Sequence, residues 1–114
     1  IRRDNDLADI VTAFAGRIHF VHLRNNRVLK NAAFYESGHI DGDADLPRLV
    51  GLLLQEQHRR REQGRADTRM PVRPDHGIKM LTDFKENTPP GYPRIGRLAG
   101  LREIRGIEAA IEQG

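Results

Sequence analysis

The chain has no cysteine and no tryptophan. Without cysteine the fold has no disulfides, which fits a cytoplasmic setting. Its two tyrosines and four phenylalanines are not interleaved with basic residues in the way that lets a protein stack on bases. No apolar run reaches the roughly 18 residues that a membrane-spanning helix needs. The opening stretch, Ile1-Arg2-Arg3-Asp4, lacks both an initiating methionine and an apolar signal segment. We therefore expect a chain cut from something longer, and no secretion.

What is present has the balance of a globular protein. With 114 residues, 38% hydrophobic and 31% charged, the chain is long enough for one domain with a modest core. Nineteen Lys and Arg against 16 Asp and Glu leave a formal charge of +3, a balance that suits nucleic acid, an anionic membrane or a small anionic substrate. The densest basic cluster is His58-Arg59-Arg60-Arg61. It reads as a solvated helix end, where cations meet the negative pole of the helix dipole, with Gly64 placed to cap it. A nucleic-acid patch is the alternative reading of the same residues.

Apolar spacing predicts an amphipathic helix over 4–15, with Leu7, Ile10, Val11 and Phe14 as its stripe. Asp4 or Asn5 stands at its start and Gly16 at its end. A buried strand is expected over Ile18–Leu23. An irregular hairpin is expected from Val28-Leu29 to Phe34-Tyr35, then a loop through Asp43. A second helix spans Leu46–Gln63, with Pro47 in its first turn and Leu46, Leu49, Val50, Leu53 and Leu54 facing a core. A short strand follows at Met70–Arg73, confined by Pro71 and Pro74. A short helix is expected over Ile78–Phe84, a rigid turn over Asn87–Tyr92 and a last helix over Pro93–Glu112. That helix holds Gly96, Gly100 and Gly106, small residues that permit close packing. Helices alternating with strands imply an α/β fold with parallel strands. Two main strands are too few for a free-standing sheet, since typical sheets have about four to six.

In parallel α/β folds, functional residues gather where strands end and loops begin. The first strand ends in His22-Leu23-Arg24-Asn25 and the second in Arg73-Pro74-Asp75-His76-Gly77. Two histidines and a carboxylate at neighbouring strand ends suggest a divalent metal site. Arg24 and Arg73 beside them suggest recognition of a carboxylate or phosphate. His19 lies three residues from His22, so the two face opposite ways along a strand; His19 is expected to pack on a helix. Asp75 can also be read as a cap for the next helix, and His39 as an exposed loop residue.

Taken together, the phrases Arg17–Asn25, Phe34–His39, Gly42–Asp45, Arg73–Gly77, Asn87–Tyr92 and Ile95–Leu101 resemble the mannonate dehydratase family over nearly the whole chain, in order. Arg-Pro-Asp-His-Gly and Pro-Gly-Tyr are the more specific blocks. The resemblance implies the C-terminal third of a TIM (β/α)8 barrel, about two βα units with flanking helices, whose N-terminal part is absent from residues 1–114. It implies a lyase that removes water from D-mannonate, giving 2-keto-3-deoxy-D-gluconate in hexuronate breakdown, with Mn(II) or Fe(II) bound. Carried over residue by residue, His22 and Asp75 match metal ligands, and His76 matches an acid/base residue. Tyr92 matches a substrate-side hydroxyl, expected to be catalytic, and Arg24 and His39 would line the pocket; Arg73 is expected to bind substrate with them on its guanidinium chemistry. Two departures stand out. The family's other metal ligands, a His and a Cys, lie upstream of this chain, and Tyr35 stands where many members carry His. Residues 1–114 alone are accordingly expected to be inactive and prone to self-association, the whole enzyme being a homo-oligomer that binds neither nucleic acid nor membrane. The competing readings are a metal-dependent sugar isomerase or epimerase on a similar barrel, and a non-enzymatic basic binding module.

Overall fold

Helix α1 (Leu7–Phe14) begins where Asp6 accepts the Asp9 N–H at 3.0 Å, so Asp6 is the cap in place of the expected Asp4 or Asn5. The computed structural model describes residues 5–74 and 77–114. A 3-10 turn at Ala15–Arg17 leads into β1 (Val21–Leu23), which is shorter than the strand expected from residue 18. The reason is its partner. Strand β4 (Val72–Pro74) is flanked by Pro71 and ends in Pro74, and proline has no N–H to extend a ladder. Pro71 contributes only its carbonyl, which accepts the Val21 N–H at 3.0 Å. The two strands run parallel, with Val21, His22 and Leu23 opposite Val72, Arg73 and Pro74, as an alternating α/β pattern requires.

The irregular segment after β1 is a true antiparallel hairpin, β2 (Asn26–Val28) with β3 (Phe34–Glu36). Its connection passes through Asn31 and Ala32, both at φ +62°. Helix α2 (Leu46–Glu62) starts at Asp45, which accepts the Arg48 N–H at 3.1 Å. It closes with Gly64 at φ +68°, where the Gly64 and Arg65 N–H groups donate to Arg61 and Arg60 carbonyls, the αL ending that favours glycine. The expected helix at 78–84 is instead a 3-10 helix at Leu81–Lys85. Helix α3 (Arg94–Gln113) completes the chain.

The core lies between the helices and one face of the parallel pair. Leu46, Leu49 and Val50 of α2 meet Ala8 of α1, Leu23 of β1, and Ile104 and Ile107 of α3. The predicted stripe of α2 is therefore the centre of the fold. That of α1 is not. Ala8 is buried and Val11 packs against the core, while Leu7, Ile10 and Phe14 are exposed at 50%, 40% and 59%. Those three side chains stay outside the core cluster.

The basic cluster also differs from a solvated helix end. Arg60 is fully buried. Its guanidinium donates to Glu56 at 2.9 Å and to the carbonyls of Ala15, Ile18 and Asp67 at 2.8, 2.7 and 3.2 Å. It thereby ties the end of α2 to the chain entering β1. Glu56 also accepts from Arg59 at 2.6 Å. The Arg59 hydrogen bonds, with those of Arg60, outweigh burial and hold the Glu56 carboxyl down at about 2. His19, expected against a helix, is exposed, with Nδ1 3.8 Å from Asp67; the strand starts two residues later and leaves it in the approach.

Asp83 is the buried anchor of α3. Its carboxylate accepts the N–H groups of Met80, Ile95 and Gly96 at 3.0, 2.9 and 2.9 Å. Burial pushes this carboxyl up, but the three backbone donors prevail and it stays below the usual carboxylate range. The glycines of α3 differ in what surrounds them. A Cβ on Gly96 would stand 1.9 Å from the Ile78 carbonyl oxygen, whereas one on Gly106 would meet nothing within 4 Å. Gly106→Ala is thus expected to raise stability by about 1 kcal/mol through helix propensity, and Gly96→Ala to lower it. Denaturant unfolding of the two variants checks the contrast; equal shifts would refute it.

Candidate functional site

Because β1 and β4 are parallel, both chains leave the sheet at the same edge. Alternation sends Leu23 into the core, so His22 lies on the opposite face, and its register partner Arg73 lies there with it. Both are exposed. The exposed ring of Phe20 stands edge-on to the His22 imidazole, with centroids 4.9 Å apart. An imidazole and a guanidinium thus share one open face at the strand ends.

Arg24 follows Leu23 and turns toward the hairpin, with Nε 3.3 Å from Glu36. It borders an open cleft of about 460 Å³ shared with Asn26, Asp43, Asp45, Arg48 and the first residues of α1. The loop wall of that cleft hangs on Asn25, which is 3% exposed. Its amide donates to the carbonyls of His39 and Ala44 at 2.8 and 2.9 Å, and its oxygen accepts the Ala44 N–H at 3.1 Å. Gly42 passes so close that a Cβ there would lie 2.1 Å from the Asn25 oxygen.

Asp75 and His76, the expected metal ligand and acid/base residue, lie outside the described residues. The chain on their far side is tied to the turn before α3. The Gly77 N–H donates to the Gly91 carbonyl at 3.0 Å. Pro89–Tyr92 forms a tight turn closed by the Tyr92 N–H on the Pro89 carbonyl at 3.1 Å, with Gly91 at φ +82°, a position that demands glycine. That turn therefore ties Tyr92 to the chain that has just left β4. Tyr92 is 39% exposed, with the Arg97 guanidinium 5.3 Å from its ring centroid, a cation–π arrangement.

His39 is neither an exposed loop residue nor open to the cleft. It is 4% exposed, with Nε2 3.2 Å from the Leu23 carbonyl and Nδ1 3.3 Å from Glu103 of α3. Sequence reasoning gave no role to Asn25 or Glu103, which hold this region together, and it read Arg60, the buried partner of Glu56, as part of a solvated helix end. Asn25 stood inside a recognisable motif, whereas Glu103, Glu56 and Arg60 are charged residues on helices, where a solvated role is the ordinary one.

Among the described residues, no three His, Asp or Glu side chains converge as a metal shell, and no helix is long and apolar enough to cross a membrane. The described residues at the open face offer one ligand-type imidazole, His22. That fits one position of a metal shell and does not fill it.

The profile of the D-mannonate dehydratase (UxuA) family matches residues 1–114. The chain is 51% identical to mannonate dehydratase of Rhizobium meliloti (strain 1021) over 110 residues, covering 94% of this chain and 27% of that protein. It is 47% identical to mannonate dehydratase 1 of Agrobacterium fabrum (strain C58 / ATCC 33970) over 116 residues, covering 99% of this chain and 29% of that protein. The chain therefore spans somewhat over a quarter of the length of these curated relatives.

Proposed function

The chain belongs to the D-mannonate dehydratase family, and on that basis we propose that it supplies the last part of a TIM-barrel active site that dehydrates D-mannonate to 2-keto-3-deoxy-D-gluconate. The observation that carries the reading is the uncovered face at the ends of β1 and β4, where His22 and Arg73 stand side by side. Active sites of such barrels sit at the C-terminal ends of their strands. The bare outer stripe of α1, with Leu7, Ile10 and Phe14 exposed, supports further barrel packing beyond this chain. Residues 1–114 then form one piece of a single catalytic domain and are inactive alone.

Dehydration of a sugar acid removes the proton on the carbon beside the carboxylate and expels hydroxide from the next carbon. The enol so formed takes a solvent proton at that second carbon and becomes the keto acid. Arg73 and Arg24 offset the substrate's negative charge, the planar guanidinium matching a carboxylate with paired donors. His76 follows the open face in sequence and moves the proton near neutral pH. Tyr92, held to the β4 exit through Gly91, presents a hydroxyl for proton transfer to the leaving oxygen. His22 and Asp75 would hold a divalent ion, Mn(II) or Fe(II), with further donors from outside this chain. Such an ion supplies a positive charge against the enolate-like charge that develops. A homo-oligomeric enzyme in the cytoplasm completes the proposal.

The test is incubation of D-mannonate with the full-length protein and Mn(II), followed by mass analysis. The product is expected to weigh one water less than the substrate. A product of unchanged mass would identify an isomerase or epimerase and overturn the proposal.

A further inference from the structure

Resting on the dehydratase reading, we propose that His39 and Glu103 are positioning residues that fix the end of β1, and with it the aim of His22 and Arg24, without touching substrate. The Leu23 carbonyl lies between those two residues in the chain. A carbonyl oxygen can only accept, so His39 Nε2, 3.2 Å away, carries the proton and donates to it. The ring is held from behind by α3. Glu103 Oε2 lies 3.3 Å from Nδ1 and accepts the His39 backbone N–H at 2.8 Å. One carboxylate thus holds the residue by its backbone N–H and stands behind its ring. Asn25 adds a third tie by donating to the His39 carbonyl at 2.8 Å.

The helix is shaped for this ring. A Cβ on Gly100 would stand 2.7 Å from His39 Cε1 and 3.2 Å from Nδ1, so the imidazole occupies the notch that glycine leaves. Gly100 follows one turn after Gly96, which lies under Ile78. The two helical glycines therefore seat α3 against the loop behind β1 and against the chain beyond β4. Helix α3 also sets Arg97 over the Tyr92 ring. Its part is to hold, through His39, the strand end whose side chains face the substrate.

The experiment uses the full-length protein and compares His39→Leu, which fills the volume without hydrogen bonds, with His39→Gln, whose amide can donate to Leu23. Glu103→Gln, which keeps an acceptor oxygen, is the third variant. Turnover of D-mannonate, Mn(II) affinity and thermal midpoint are measured for each. In His39→Leu, kcat/KM and Mn(II) affinity are each expected to fall by roughly 10–100-fold, the usual cost of losing a residue that orients a ligand. The folded fraction should stay near complete at the assay temperature. His39→Gln and Glu103→Gln should recover most of both losses. If folded His39→Leu turns over substrate and binds Mn(II) as wild type does, or if His39→Gln recovers nothing, the proposal is overturned. A wild-type protein that binds Mn(II) but leaves D-mannonate intact would defeat the dehydratase reading alone, and the affinity series would still decide the role of His39. A wild type with neither property would remove what His39 is said to aim and overturn both.

Discussion

Arg60→Met in the full-length protein is expected to cost about 3–5 kcal/mol of stability, the usual effect of removing one partner from a buried ion pair. Three backbone carbonyls and the Glu56 carboxylate share the Arg60 guanidinium in a site with no water access to its side chain. Methionine fills much of the volume and supplies no donor, so the Ala15 and Ile18 carbonyls lose a bond they had at the entry to β1. Glu56 keeps Arg59 but loses its buried neighbour. Adding Glu56→Leu should recover part of the loss, because a buried pair replaced on both sides is far less costly than one broken. Denaturant unfolding of single and double variants measures this. A single variant within about 1 kcal/mol of wild type would show that the cluster is the solvated helix end its sequence suggests.

The largest effects on rate are expected at the two histidines of the strand ends. His22→Ala should lower bound metal and turnover together, because the open face loses its imidazole. His76→Asn should keep near-normal metal while lowering the rate by roughly 10²–10⁴, the usual worth of a positioned acid or base. Residues adjacent in a chain leaving a strand point to different sides, so Asp75 and His76 are not expected to serve the same ion. Metal analysis of both purified variants, alongside their rates, separates the roles. A metal-free His76→Asn beside a loaded His22→Ala would reverse them.

Much of the fold was legible because periodicity and turn chemistry act locally. The stripe of α2 from Leu46 to Leu53, the glycine ending at Gly64 and the prolines bounding β4 each report a backbone state directly. The orientation of α1 was not legible. Its stripe of Leu7, Ile10 and Phe14 is real, but an apolar stripe does not say which neighbour it meets, and among the described residues these three side chains stay exposed. At the candidate site, side chains that face outward from the strand ends, such as His22 and Arg73, follow from alternation alone. Residues that act by holding, such as Arg60, Asn25 and Glu103, depend on contacts 14 to 64 residues away along the chain. No local pattern announces those contacts. His39 shows the limit most plainly: a histidine in an acidic loop became a buried strut because Gly100, 61 positions later, left room for its ring.

Dehydration at this open face is read out by turnover of D-mannonate by the full-length protein in D2O with Mn(II). Loss of water followed by ketonisation predicts a keto acid carrying one solvent deuterium on the carbon next to its carbonyl. A product that retains every oxygen and carries deuterium only on the carbon beside the carboxylate would mean epimerisation in place of dehydration.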